Sequence, residues 1–179
     1  MMKLILLPII IILSAIAGCN NPERDTPAMH RVVATGLPAP DFTLRDLSGK
    51  KITLSEYKGK VVLLNFWKMR CKDCMSSMPS LEALNQRFKD KDMVILSVNV
   101  DNLEYVKPEK IKAFLDDKHY TFKAVMDETF SASEDYKIIA VPMTYLIGRE
   151  GIVSYIKFGE ENWESRENIE RIEALLKGR

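Results

Sequence analysis

The sequence predicts an α/β domain, a mixed central β-sheet flanked by helices and opened by an N-terminal β-hairpin. Two near-continuous apolar runs, residues 61–67 and 93–100, have strand length and the composition of strands buried on both faces. Amphipathic segments with helical spacing follow them. The chain then closes on a second strand pair and a helix, a sequence of elements that requires strands of both directions.

Residues 42–44 and 52–54 alternate as short strands across Ser48-Gly49-Lys50, which predicts the opening hairpin. Residues 61–67 form the next strand. From Cys74, the apolar positions Met78, Leu81, Leu84 and Phe88 share one helical face, and Pro79 inside that segment should kink it, because its ring removes a backbone donor. Residues 93–100 are the following strand, and Ile111, Phe114 and Leu115 mark a helix after Pro108. A short strand is expected at 122–126, a helical turn at 130–136, and a hairpin pairing 143–147 with 152–158 across the turn at 148–151. The last helix, from about Asn162, buries Ile169, Ile172, Leu175 and Leu176.

The 179 residues suffice for one such domain plus an export segment. Lys3, an apolar stretch from 4 to 17 broken by Pro8 and Ser14, and the small residues after it follow the export pattern. The stretch is shorter than the roughly 20 residues of a comfortable membrane span, so cleavage is expected rather than a permanent anchor. The organisation is therefore a signal peptide at 1–18, a flexible tether at 19–37 rich in polar residues and proline, and a folded domain at 38–179. Basic and acidic side chains number 26 and 25, and loss of Lys3 brings them level. Charges of both signs alternate along the chain, so a nucleic-acid partner is excluded.

Three cysteines leave one unpaired in an exported chain. Ile16-Ala17-Gly18-Cys19 resembles the lipobox of bacterial lipoproteins, and that resemblance implies that Cys19 is lipidated and holds the protein at a membrane. Cys71 and Cys74 remain as the pair. A disulfide across so short a loop constrains the unfolded chain little, which favours chemistry over stapling. Cys71-Lys72-Asp73-Cys74 follows a strand and opens a helix. Free N–H groups and the helix dipole there stabilise a thiolate, making Cys71 the expected nucleophile. Cys74, three residues on, is placed to resolve a mixed disulfide formed on Cys71. Such exchange needs no cofactor and no metal.

Asn65-Phe66-Trp67, followed by Cys71, Cys74 and Pro79, resembles the thiol-disulfide oxidoreductases of the TlpA/ResA type, and Val141-Pro142-Met143-Thr144 resembles their second signature. The resemblance runs from about residue 37 to 177 and implies a thioredoxin-like fold. It also implies a cis peptide at Pro142 beside the cysteines, Val141 offering its backbone to a substrate strand, and Trp67 supporting the site. Reduction of an exported protein's disulfide, in some members that of apocytochrome c, is the activity implied, with a membrane thiol reductase as electron donor. Localisation would be periplasmic or on the outer face of the cytoplasmic membrane.

The chain departs from that pattern at Arg70, where the family usually has tryptophan, and at Asp73, where it has proline. Arg70 and Lys72 should favour the Cys71 thiolate and Asp73 should oppose it. Thioredoxin itself is similar along this strand but carries a buried aspartate where Asn65 stands. Asp73, Glu82 or water would then accept the Cys74 proton. Met69 with Cys71 and Cys74 also fits a Met-x-Cys-x-x-Cys copper pattern, so a Cu(I)-binding metallochaperone module is the alternative. A peroxidase of the related peroxiredoxin type would need threonine or serine where Lys68 stands. His30 and His119 are expected to be solvated.

Overall fold

A computed structural model describes residues 33–178. The expected signal peptide, Cys19, His30 and the tether up to residue 32 lie outside the described residues. The strands are β1 (Thr43–Asp46), β2 (Lys51–Thr53), β3 (Val61–Trp67), β4 (Met93–Asn99), β5 (Lys123–Met126), β6 (Met143–Ile147) and β7 (Val153–Phe158). The helices are α1 (Lys72–Arg87), α2 (Pro108–Asp117), α3 (Ser131–Asp135) and α4 (Arg166–Leu176), and a short 3-10 turn covers Leu54–Tyr57.

All seven strands join one sheet in the order β2-β1-β5-β4-β3-β6-β7. β3 pairs parallel with β4, and β4 parallel with β5, while β1, β6 and β7 run antiparallel to their neighbours. Because β3–α1–β4 and β4–α2–β5 step in the same direction along the sheet, right-handed crossovers put α1 and α2 on one face. Cys74, Met78, Leu81 and Leu84 of α1, Ile111 and Leu115 of α2, and Ile169 and Ile172 of α4 form one core there with Val61, Leu63 and Trp67 of β3. The alternate β3 residues Val62, Leu64 and Phe66 face the other way, against the hairpin and Ala132 and Tyr136. Every β3 residue is consequently buried, which is the source of its near-continuous apolar run, interrupted only by Asn65.

The hairpin turn is held by Asp46, whose Oδ1 accepts from Ser48 N, Ser48 Oγ and Lys50 N at 2.8, 2.6 and 3.0 Å. Gly49 supplies the positive φ of +85° that this turn requires. Tyr136 sits at the base of the opposite core, donating its hydroxyl to Pro40 O at 2.8 Å and accepting at its carbonyl from Tyr145 Oη at 2.7 Å. Burial pushes the Tyr145 phenol up to about 12.

Most strand and helix ends lie within a residue or two of expectation, and two larger differences arise from long-range hydrogen bonds. The packed chain begins ahead of residue 38: Gly36 N donates to Val153 O at 2.8 Å and Val153 N donates to Leu37 O at 2.9 Å. Helix α4 begins at Arg166, behind the N-cap Ser165, rather than near Asn162. The intervening segment is committed elsewhere, since Glu161 N donates to Ser77 Oγ at 3.0 Å and Trp163 N to Ser80 Oγ at 3.1 Å, with Trp163 buried. Helix α1 passes through Pro79 and continues to Arg87.

Candidate active site

The site forms where β3 ends. The chain leaves Trp67 through Lys68, Met69 and Arg70, and this link is tied to the end of β4. Met69 N donates to Asp101 Oδ2 at 2.8 Å, Asn99 Nδ2 donates to the same oxygen at 2.9 Å, and Val100 N donates to Trp67 O at 3.0 Å. Cys71 then stands at the N-cap of α1 in extended conformation, and Cys74 lies in the first turn. The two are joined by a disulfide, with Cα atoms 5.2 Å apart. Cys74 N donates to Cys71 Sγ at 3.1 Å, the capping geometry that serine or aspartate usually provides. Cys71 is half-buried and Cys74 is 2% exposed.

The second part of the site comes from 70 residues away. In the antiparallel β3/β6 register Phe66 is opposite Met143, so the residues that precede β6 must lie beside those that follow β3. There the Val141–Pro142 peptide is cis, and Val141 O lies 3.6 Å from Cys71 Sγ. Gly159 N, just past β7, donates to Pro142 O at 2.9 Å and holds the loop from its other side.

The remaining expected residues divide by position. Trp67 is fully buried in the core with Cys74 and Met78, its ring 6.0 Å from that of Phe114. Arg70, Lys72 and Asp73 are exposed around the disulfide. Asn65 is buried on the sheet face that carries Cys74, where its Oδ1 accepts from Thr144 Oγ1 at 3.0 Å. Met69, the third sulfur of the alternative copper set, packs partly against the same core. His119 is exposed.

Glu82 is not brought to the sulfurs. It lies eight residues beyond Cys74, about 12 Å along the helix axis. Its carboxylate accepts from Thr121 N and Thr121 Oγ1, each at 2.7 Å, and from Phe122 N at 3.3 Å, fastening α1 to the approach of β5. Partial burial acts to raise its pKa, but the hydrogen bonds from Gln86, Thr121 and Phe122 outweigh it and hold the carboxyl below its ordinary value of 4.5. A depressed folded pKa contributes stability above the unfolded value, and that stability is lost as pH falls through the folded one. Glu82→Gln should therefore cost about 1 kcal/mol at pH 7, with solvent exposure keeping it at the low end. The gap to the parent should close as pH falls below about 4.5. Urea unfolding at several pH values checks this, and a gap independent of pH would contradict it.

Sequence reasoning missed Asp101, Ser77 and the pair Lys157–Glu161. Lys157 is opposite Thr144 in the β6/β7 register, and its Nζ meets Glu161 Oε2 at 3.0 Å. The hydrogen bond to Glu161 holds the Lys157 ammonium above its ordinary pKa. A signal for Ser77 and Ser80 existed in the run Ser76-Ser77-Met78-Pro79-Ser80, a poor helical composition that suggests hydroxyls at work.

A buried sulfur and a reachable one, joined at a helix N-terminus beside a cis-proline loop, can exchange disulfides by attack at the reachable atom. Fold and site together define a thioredoxin-like thiol-disulfide oxidoreductase. The chain belongs to the AhpC/TSA family, which its residues 35–156 match. It is 38% identical over 128 residues to the thioredoxin-like protein YneN of Bacillus subtilis (strain 168), covering 71% of this chain and 73% of that one. It is 37% identical over 139 residues to the thiol-disulfide oxidoreductase ResA of Geobacillus kaustophilus (strain HTA426), covering 78% and 76%. Among solved structures, a putative thiol:disulfide interchange protein DsbE from Chlorobium tepidum superimposes with a TM-score of 0.72 at 28% identity, over 81% of this chain and 99% of that one.

Proposed function

We propose that the protein is a membrane-tethered, extracytoplasmic reductant of protein disulfides in which Cys71 attacks and Cys74 resolves. The observation that carries the direction of attack is the asymmetry of the pair. Cys71 Sγ stands half-exposed at the N-terminus of a 16-residue helix and receives the Cys74 N–H, whereas Cys74 is enclosed in the core. Once reduced, Cys71 is the thiol whose anion the helix dipole and that N–H stabilise.

The thiolate attacks one sulfur of a substrate disulfide, forming the Cys71–substrate bond and releasing the other substrate sulfur as a thiolate. Cys74 then loses its proton and attacks Cys71. The substrate's second thiolate departs and the 71–74 disulfide remains, so two electrons have passed to the substrate. Val141, whose N–H and C=O make no backbone hydrogen bond among the described residues, is free to pair with an extended substrate strand beside the reacting sulfur. With Asn65 neutral and Glu82 remote, Asp73 and water are the acceptors we assign to the Cys74 proton. A membrane thiol reductase returns the pair to its reduced form.

The tethering rests on sequence: removal of residues 1–18, lipidation of Cys19 and a tether before the packed domain. The resemblance to the TlpA/ResA type supports an exported protein disulfide as the substrate, apocytochrome c being one such substrate among that family's members. The test is the reduction potential of the Cys71/Cys74 couple, equilibrated with glutathione. A reductant is expected at or below about −270 mV, the thioredoxin range. A value near the oxidant's roughly −120 mV would overturn the direction of electron flow.

A further inference from the structure

Cations ring the disulfide without partners. Lys68, Arg70 and Lys72 are all exposed, and none of their side chains enters an ion pair or hydrogen bond among the described residues. Arg149, Lys157, Arg166 and Arg171 each meet a carboxylate within 3.0 Å, whereas lysines elsewhere on the surface, such as Lys58 and Lys89, also stand without an ion pair among the described residues; what sets these three apart is their position within three residues of Cys71. Asp73 in the same segment is exposed, and Asp101, which holds the segment, has its Oδ2 already accepting from Met69 and Asn99. Glu160 stands exposed on the far side of Pro142, beyond the Gly159 contact. Lys68 and Arg70 lie on the segment by which the chain enters Cys71, and Lys72 opens the helix that leaves it.

Two apolar side chains flank the Val141–Pro142 loop in the open. Ile139, two residues before Val141, is 90% exposed, and Phe158, opposite Met143 in the β6/β7 register, is 59% exposed. Both adjoin the loop whose Val141 O lies 3.6 Å from Cys71 Sγ.

We infer that the surface around Cys71 is built for a disulfide set in an acidic, extended polypeptide segment. Lys68, Arg70 and Lys72 take carboxylates flanking the target cysteine, while Ile139 and Phe158 take an apolar neighbour. This rests on the disulfide-reductase function proposed above and adds the chemical class of its partner. Unpaired cations at the rim of a site act on association, raising the on-rate for an oppositely charged partner and losing that advantage as salt screens them.

Three synthetic peptides, identical except that aspartate, serine or lysine flanks a cysteine held as a mixed disulfide with a neutral thiol, test this against the reduced protein by stopped-flow. At about 20 mM ionic strength the aspartate peptide should oxidise the protein about tenfold faster than the serine peptide, with the lysine peptide slowest. By about 0.5 M salt the three rates should converge. The K68E/R70E/K72E variant should invert the order. Ratios between peptides report recognition, and the serine peptide alone reports the intrinsic reactivity of Cys71. Equal rates for all three at low salt in the parent would overturn the acidic-partner inference and leave the redox function standing. Failure of every peptide to oxidise the protein would bring down both.

Discussion

Cys71→Ser should lower disulfide reductase activity at least about a thousandfold, because a serine hydroxyl is not ionised near neutral pH and forms no bond to sulfur. Cys74→Ser should fail differently. Its Cys71 remains at the N-cap and still attacks, so the first step survives and the second has no thiol to complete it. The variant should accumulate a substrate adduct that dithiothreitol releases, visible on a non-reducing gel and mapped to Cys71. Insulin reduction followed by turbidity measures the loss. A Cys71→Ser protein as active as the parent, or adducts forming on Cys74 instead, would contradict the assigned roles.

The second large effect is on stability. Trp67 is fully buried at the end of β3, and the link to Cys71 departs from it. Trp67→Ala should cost about 3–5 kcal/mol, since the cavity left between α1, α2 and the sheet can collapse only in part. For a domain of this size that lowers Tm by roughly 10 °C. Trp67→Phe should cost much less. The indole Nε1 is buried with no hydrogen-bond partner among the described residues, so replacing the indole removes an unsatisfied donor as well as packing volume. Urea titration of both variants decides the matter. An alanine variant within about 1 kcal/mol of the parent would show that the indole contributes little to this core.

Strands β3 and β4 were legible because burial on both faces leaves a near-continuous apolar run, and α1 because its buried stripe keeps helical spacing through Met78, Leu81 and Leu84. The meeting of Cys71 with Val141 was legible only as a pair of motifs. What brings them together is the antiparallel β3/β6 register, which no local pattern states. Contacts between polar side chains distant in sequence stayed hidden for the same reason. Ser77 and Ser80 hold a segment more than 80 residues away, and that contact delays the start of α4. Glu82 shares α1 with the cysteines and so was a reasonable acceptor on sequence grounds, yet helical rise carries it away and Thr121 takes its carboxylate. Asn65 illustrates the remaining limit. Its replacement of an acid could be read directly, but the neutral pairing with Thr144 depends on the neighbouring strand.

One sulfur of this pair becomes chemically distinct from the other once the bond between them is opened. Iodoacetamide alkylation of the reduced protein between about pH 5 and 9, with each cysteine followed by peptide mass, measures that directly. Cys71 should alkylate with a midpoint below the roughly 8.5 of an ordinary cysteine, and Cys74 should react at least about tenfold more slowly. Two thiols reacting at equal, slow rates across neutral pH would contradict it.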